Sequence, residues 1–278
     1  MTEIIAHHGV VRDVKLHVED AGGTGRPVVL IHGWPLSGAS WAAQVPALSR
    51  AGYRPVTYDR RGFGRSDKPL TGYGYDTLAE DLHTVLTELD LADVTLVGFS
   101  MGGGEVARYL GRYGPERVRS VVFAAAVTPY LMRTPDNPEG PLHASEAARM
   151  TASLTANKDA FYEDFITTFF SVHGVLKVTE AQRQEALALC AQAGKIPALE
   201  CLTAFGNTDF REDLERVTVP ALVLHGDGDA TVPYEGSGER THAAIPGSDL
   251  VVLPGAPHGC NVSHADAFNQ ALLDFLSR

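Results

Sequence analysis

A chain of 278 residues with 44% hydrophobic and 21% charged side chains has a globular composition, which excludes a disordered or fibrous protein and leaves room for one α/β core with an insertion. Its formal net charge of −11 repels nucleic-acid phosphates and anionic lipid, and the basic cluster Arg60, Arg61 and Arg65 is too thin to offset this, so neither a nucleic acid nor a membrane is expected as a partner. No run approaches roughly 18 uncharged apolar residues, the amino end lacks a basic segment ahead of an apolar one, and Cys190, Cys201 and Cys260 fit no disulfide or metal spacing; a cytoplasmic chain with reduced, packed thiols is expected.

Val14–Val18 alternates apolar and polar residues as a half-buried strand does, and the glycines of 21–25 mark the turn after it. Pro27–Ile31 is fully apolar, the pattern of a strand inside a parallel sheet, and delivers His32-Gly33-Trp34-Pro35 at its carboxyl end, where ligands bind in open α/β sheets. His32 reads as a turn-stabilising residue. A helix over Trp41–Arg50 and a buried strand Pro55–Tyr58 follow. The loop Asp59–Ser66 lacks the glycine spacing and the Lys-Ser/Thr of a phosphate cradle and reads as a structural turn. Tyr75–Leu89 places Leu78, Leu82, Val85, Leu86 and Leu89 on one helical face, with Asp76 or Thr77 as its cap.

The apolar run Val94–Val97 then ends in Gly98-Phe99-Ser100-Met101-Gly102, a G-x-S-x-G turn between a strand and the helix Gly102–Tyr113. Glycines on both sides let two backbones approach closely, so Ser100 projects from the strand end beside the first amides of the helix. Val118–Ala126 continues the strand–helix alternation of a mostly parallel sheet. That alternation stops over 128–217, where a proline-rich opening leads into helical stretches; residues 1–127 and 218–278 are expected to form the core and 128–217 an inserted helical cap. Within the cap, Phe161, Phe165 and Phe169 repeat at helical spacing. Phe165 and Phe169 are the expected pocket walls, together with Trp34 and Val232. Cys190 and Cys201 have no histidine at catalytic spacing and read as packing residues.

Pro220–Gly226 returns to the sheet pattern and is followed by Asp227 and Asp229, one expected to orient a histidine and the other to close a turn; a hard cation wants more oxygen ligands than this loop carries, and no metal site is expected. Asp249–Leu253 is the last strand. The loop Pro254–Cys260 presents His258, expected to be exposed, and Ser263 is placed to cap the closing helix Ala265–Leu276. A serine hydroxyl needs a histidine to take its proton and an acid to fix that histidine's tautomer; Ser100, Asp229 and His258 occur in that order, each after a predicted strand, whereas His242 falls inside a helix. The backbone N–H groups of Trp34 and Met101 are the expected oxyanion donors.

Over its whole length the chain resembles the α/β-hydrolases, through His32-Gly33-Trp34-Pro35, Asp59-Arg60-Arg61-Gly62-Phe63-Gly64-Arg65-Ser66 and Ala256-Pro257-His258-Gly259. Gly98-Phe99-Ser100-Met101-Gly102-Gly103-Gly104-Glu105-Val106-Ala107-Arg108-Tyr109 and Leu224-His225-Gly226-Asp227-Gly228-Asp229 are similar, more narrowly, to the bacterial arylesterases grouped with cofactor-free haloperoxidases, perhydrolases and γ-lactamases. The resemblance implies an eight-stranded, mostly parallel sheet with helices on both faces and a helical cap. It implies Asp229, not Asp227, as the triad acid, hydrolysis of small esters through an acyl-enzyme, peracid formation from hydrogen peroxide as a side reaction, no haem or metal, and a homo-oligomer.

Pro35 stands where other members carry leucine. Proline removes an N–H and fixes φ, so it is expected to reshape the oxyanion loop in favour of perhydrolysis. Pro35→Leu should therefore lower the ratio of peracid to acid formed from one ester, and an unchanged ratio would contradict this role. An amide or γ-lactam hydrolase using the same three residues, and a ligand receptor or interaction module on a hydrolase fold, stay open alternatives. Haloalkane dehalogenases and epoxide hydrolases carry an aspartate where this chain has Ser100.

Overall fold

Apolar runs become strands wherever both sheet faces are covered. In the computed structural model, which describes residues 2–8 and 11–278, the first strands are β1 (Thr2–His8), β2 (Val11–Asp20) and β3 (Pro27–Ile31). Then follow α1 (Gln44–Arg50), β4 (Arg54–Tyr58), α2 (Tyr75–Glu88), β5 (Val94–Phe99), α3 (Met101–Tyr113) and β6 (Val118–Ala124). The chain returns to the sheet through β9 (Ala221–Gly226), α9 (Gly238–Ala244), β10 (Asp249–Leu253), α10 (Cys260–Ser263) and α11 (Ala265–Leu276).

The eight-stranded sheet has the order β1-β2-β4-β3-β5-β6-β9-β10. Pairs β1–β2 and β2–β4 are antiparallel and every pair from β4 to β10 is parallel. All residues of β5 and β9 are buried, because helices lie on both faces: α1 and α11 pack together against one group of strands, and α2 and α3 form a second pair. From β3 the chain moves outward to β4 and then crosses to the other side at β5. The carboxyl ends of β3 and β5 therefore form the switch point at which an open α/β sheet leaves a crevice. Trp34 follows β3 and Ser100 follows β5.

Between β6 and β9 lie α4 (Ala144–Ala156), α5 (Lys158–Phe169), α6 (Glu180–Ala191), α7 (Lys195–Asn207) and α8 (Arg211–Leu214), with a small hairpin of β7 (Ser171–Val172) and β8 (Val175–Leu176). The hairpin turns on His173 and Gly174, both at positive φ, as a two-residue turn between strands requires. Helix α4 packs on α5 and α7, and α5 on α6, whereas α8 packs on α3 and α9 of the core. Helix α6 starts with a capping box between Thr179 and Gln182. Among the described residues, no helix is long and apolar enough to cross a membrane.

Several local expectations are corrected. Strand β1 was not anticipated, and Val14–Val18 is part of the longer β2. The expected helix Trp41–Arg50 divides into a 3-10 turn, Gly38–Trp41, and α1. Gly74, not Asp76 or Thr77, occupies the amino cap of α2, and Asp76 sits in its first turn facing the helix dipole. Ser263 ends α10 and hydrogen-bonds to the ring of His264, which itself takes the cap position of α11, so Ser263 does not cap that helix.

Candidate active site

The G-x-S-x-G turn folds as its glycines dictate. A Cβ on Gly98 would lie 2.4 Å from the Gly102 carbonyl oxygen, and one on Gly102 would lie 2.4 Å from that of Ile31. Strand and helix approach so closely only because both positions lack a side chain. Ser100 adopts φ 55° and ψ −118°, a strained conformation for a residue with a Cβ, held by its N–H donating to Ala124 O at 2.8 Å and its carbonyl accepting from Gly103 and Val127.

His258 Nε2 lies 2.9 Å from Ser100 Oγ, and His258 Nδ1 lies 2.6 Å from Asp229 Oδ2. A carboxylate only accepts, so Nδ1 carries the proton and Nε2 is left to accept from the Ser100 hydroxyl. Burial alone would raise the Asp229 carboxyl, but the facing His258 charge and the hydrogen bonds from His225 and His258 bring it well below the ordinary aspartate range. Its other oxygen, Oδ1, accepts from the amides of Thr231 at 2.8 Å and Val232 at 2.7 Å. Asp227 instead closes a turn, its Oδ1 accepting from Gly255 N–H at 2.6 Å. His242 lies in α9 and bonds to Ser248 Oγ, away from these groups.

The expectation that His258 is exposed is corrected: it is 1% exposed, because Phe99 and Phe169 pack on its ring at centroid distances of 5.2 and 4.9 Å. The glycine that follows makes this packing fit. A Cβ on Gly259 would meet Phe170 at 2.3 Å and Phe169 at 2.6 Å. Phe169 is therefore part of the histidine's support and not a pocket wall; it is 0% exposed and does not line the cavity.

Gly33 brings the loop after β3 against the serine, since a Cβ there would stand 3.1 Å from Ser100 Cβ. The Met101 N–H is the first of α3 and has no acceptor within the helix. Among the described residues, neither it nor the Trp34 N–H donates to a protein acceptor. Behind this loop, His32 donates its Nδ1–H to Gly33 O at 2.9 Å and accepts Arg60 N–H at Nε2, also at 2.9 Å. Burial, with the Arg60 charge, pushes the His32 ring well below its ordinary value, which suits a neutral turn-holding residue.

Arg60 also donates to His32 O at 2.6 Å and pairs with the carboxylate of Glu105 on α3, which in turn accepts from Tyr58 Oη at 2.6 Å. Arg60 thus fastens the loops after β3 and β4 to the helix that follows Ser100. Arg60 and Glu105 are buried, so removing one partner strands the other's charge. Glu105→Ala should lower the unfolding free energy by about 3–5 kcal/mol, read from a urea transition. An unchanged midpoint would deny the pair this role. The Asp59–Ser66 loop is likewise structural: Asp59 accepts from the amides of Gly38 and Arg65, both at 2.8 Å, and a Cβ on Gly64 would collide with its carboxylate. Arg61 binds Asp81 of α2 at 2.5 and 2.6 Å.

Ser100 opens into a cavity of about 490 Å³. Trp34, Phe161, Phe165 and Val232 line it together with Leu131, Met150 and Phe205, and the charged residues Glu146, Arg149 and Asp164 also belong to its lining. The Trp34 ring makes edge contacts with Phe165 at 5.1 Å and Phe205 at 5.7 Å, and its indole N–H donates to Ala198 O of α7 at 3.0 Å. Of the expected pocket residues, Trp34, Phe165 and Val232 therefore come together with Ser100 and Phe169 does not. Leu131, Met150 and Phe205 carry no motif and no spacing signal. Cys190, Cys201 and Cys260 are free and buried, and burial pushes the Cys201 thiol up to about 12. Among the described residues, no group of three or more His, Cys, Asp or Glu side chains could hold a metal ion.

Known proteins resemble the chain over nearly its whole length. A non-heme chloroperoxidase of Kitasatospora aureofaciens is 44% identical over 260 residues, covering 92% of this chain and 94% of the relative. A bifunctional esterase/perhydrolase of Acinetobacter calcoaceticus is 35% identical over 266 residues, covering 95% and 96%. The crystal structure of a bromoperoxidase from Bacillus anthracis superposes with a TM-score of 0.95 at 50% identity, covering 100% of both chains. Residues 26–265 match the family described as alpha/beta hydrolase fold. With its eight-stranded sheet, its strained serine turn and these relatives, the chain belongs to the α/β-hydrolase fold family, in the group that holds non-heme haloperoxidases and esterase/perhydrolases.

Proposed function

We propose that the protein is a serine hydrolase of small carboxylic esters. The observation that carries this reading is the unbroken chain Ser100 Oγ, His258 Nε2, His258 Nδ1, Asp229 Oδ2, with contacts of 2.9 and 2.6 Å, at the wall of a largely apolar cavity. Ser100 Oγ attacks the ester carbonyl carbon as its proton passes to His258 Nε2. The oxygen that gains charge is held by the N–H groups of Trp34 and Met101. The carbon–oxygen bond to the alcohol breaks, His258 returns the proton to that alcohol, and an acyl group stays on Ser100. Water then attacks the acyl carbon as His258 Nε2 takes its proton, the bond to Ser100 Oγ breaks, and His258 returns the proton to Ser100 Oγ as the acid leaves. Hydrogen peroxide in place of water would release a peracid, and the esterase/perhydrolase relative supports that side reaction. Residues 128–217 act as a cap, with α5 and α7 clasping Trp34 and so closing the cavity over the serine.

The test is turnover of a short-chain aryl ester and of a bicyclic γ-lactam, with Ser100→Ala as blank and hydrogen peroxide added in a parallel series. Ester turnover that needs Ser100 supports the reading. Lactam cleavage at comparable efficiency would make amide hydrolysis the function, and silence on both substrates would revive the receptor reading. The aromatic wall gives a second expectation. An edge contact with a ring contributes roughly 0.5–1.5 kcal/mol, so Phe165→Ala should raise KM for an aryl ester about three- to tenfold. The same change should leave KM for an ethyl ester of the same acid nearly unmoved. Equal effects on the two would remove Phe165 from the leaving-group side.

A further inference from the structure

Asp229 accepts one more hydrogen bond than three-residue chemistry requires. The extra donor is His225, the fifth residue of β9, whose Nε2 stands 3.1 Å from Asp229 Oδ2 and 2.9 Å from Val232 O. Asp229 Oδ2 is the same oxygen that receives His258 Nδ1. The tautomer follows from the partners, because a carbonyl oxygen only accepts and His225 Nε2 must therefore carry a proton, which it divides between Val232 O and the carboxylate. Nδ1, on the other side of the ring, is buried with no hydrogen-bond partner among the described residues, so an added proton there would meet no acceptor.

The ring has little freedom to do anything else. It is fully buried, a Cβ on Gly238 would stand 2.5 Å from its Nδ1, and Tyr234 meets it edge-on at 5.7 Å. Its backbone is locked in the sheet, paired with Val252 of β10. Four donors thus converge on Asp229, two amides on Oδ1 and two imidazoles on Oδ2. The other titratable groups around them are the Cys260 thiol of α10, which burial keeps protonated, and Tyr234, with Glu235 beside it and Glu239 of α9 near its hydroxyl.

We propose that His225 is a positioning residue: a fixed N–H donor that shares Asp229 Oδ2 with His258, holds the carboxylate in line, and limits how strongly it retains the His258 imidazolium. The inference rests on the serine-hydrolase reading above. A carboxylate relieved of one donor is a stronger acceptor for the other, so loss of His225 leaves His258 harder to deprotonate. A hydrogen bond to a charged group corresponds to about one pH unit when it is transmitted whole.

The experiment compares pH profiles of kcat/KM for a short-chain aryl ester in the wild-type enzyme, His225→Phe and His225→Gln, with Ser100→Ala as blank. Phenylalanine keeps the shape without the donor, whereas glutamine can place an N–H near the former Nε2. The expected result is an acidic limb moved up by about one pH unit in His225→Phe and returned toward the wild-type position in His225→Gln. Coincident acidic limbs in the wild type and His225→Phe would reduce His225 to packing and overturn the proposal. Should His225→Phe fail to fold, imidazole nitrogen NMR of the wild-type protein decides: a proton on Nε2 of His225 at the pH of maximal activity is expected, and one on Nδ1 overturns it. Wild-type turnover no greater than that of Ser100→Ala would instead overturn the hydrolase reading, and the role of His225 with it.

Discussion

Ser100→Ala is expected to lower kcat/KM for a short-chain aryl ester by about 10⁴- to 10⁶-fold, the range found when a nucleophile of this kind is removed. The size follows from what remains. His258 and Asp229 keep their contact at 2.6 Å, and the amides of Trp34 and Met101 keep their places, but no oxygen is left 2.9 Å from His258 Nε2 to carry the acyl group. The thermal midpoint should hold or rise, because Ser100 sits at φ 55° to aim its hydroxyl and not to stabilise the fold. Loss of activity together with collapse of the midpoint would point to a structural role, and turnover within tenfold of the wild type would place the chemistry elsewhere.

Asp229→Asn is expected to cost about 10⁴-fold in kcat with little change in KM. The two backbone amides of Thr231 and Val232 hold whichever atom occupies the Oδ1 position, and they require an acceptor. The asparagine carbonyl must therefore point at them, which turns the NH₂ group toward His258 Nδ1 and His225 Nε2. A donor facing His258 Nδ1 selects the tautomer with its proton on Nε2, and that nitrogen can no longer accept from Ser100. The buried NH₂ also confronts the His225 N–H, so a fall in stability should accompany the loss of rate. The two effects separate by measurement: steady-state kinetics well below the unfolding temperature report the tautomer, and the thermal midpoint reports the clash. Retention of more than a tenth of the wild-type kcat would mean that Asp229 does not set the tautomer.

The fold was legible because each central strand announces itself in composition. Buried parallel strands such as β5 and β9 are uninterrupted apolar runs, and the turns that follow them carry glycines packed too tightly for any Cβ. Ser100, Asp229 and His258 were legible from order and from position at strand ends. The burial of His258 was not, since it arises from Phe99 and Phe169, 159 and 89 residues earlier in the chain, and a loop rich in proline and glycine gives no sign that such rings cover it. The same rings explain why Phe169, at regular spacing from Phe161 and Phe165, turns away from the cavity: near the carboxyl end of α5 it is taken up by the histidine's support.

His225 was visible only as a member of a motif, for a related reason. It lies in a strand whose every residue is buried, where a histidine reads as packing until the fold brings Asp229 and Val232 around to its ring. Arg60 and Glu105 were visible only as members of motifs; their pairing across 45 positions joins the loop after β4 to α3, which sequence spacing leaves unrelated. Strand β1 is the plainest omission. With Ile4 and Ala6 inward and Ile5 outward it does alternate, but it sits at a sheet edge and is defined mainly by its antiparallel register with β2.

Whether Ser100 carries the acyl group is decided by quenching the enzyme during turnover of an aryl acetate and locating the acetyl group by mass spectrometry of its peptides. An acetyl increment is expected on the peptide containing Ser100, absent in Ser100→Ala and lengthened in lifetime when His258 is replaced by alanine under forcing conditions. Turnover with no acyl group on Ser100, or an acyl group of equal lifetime on another residue, would contradict it.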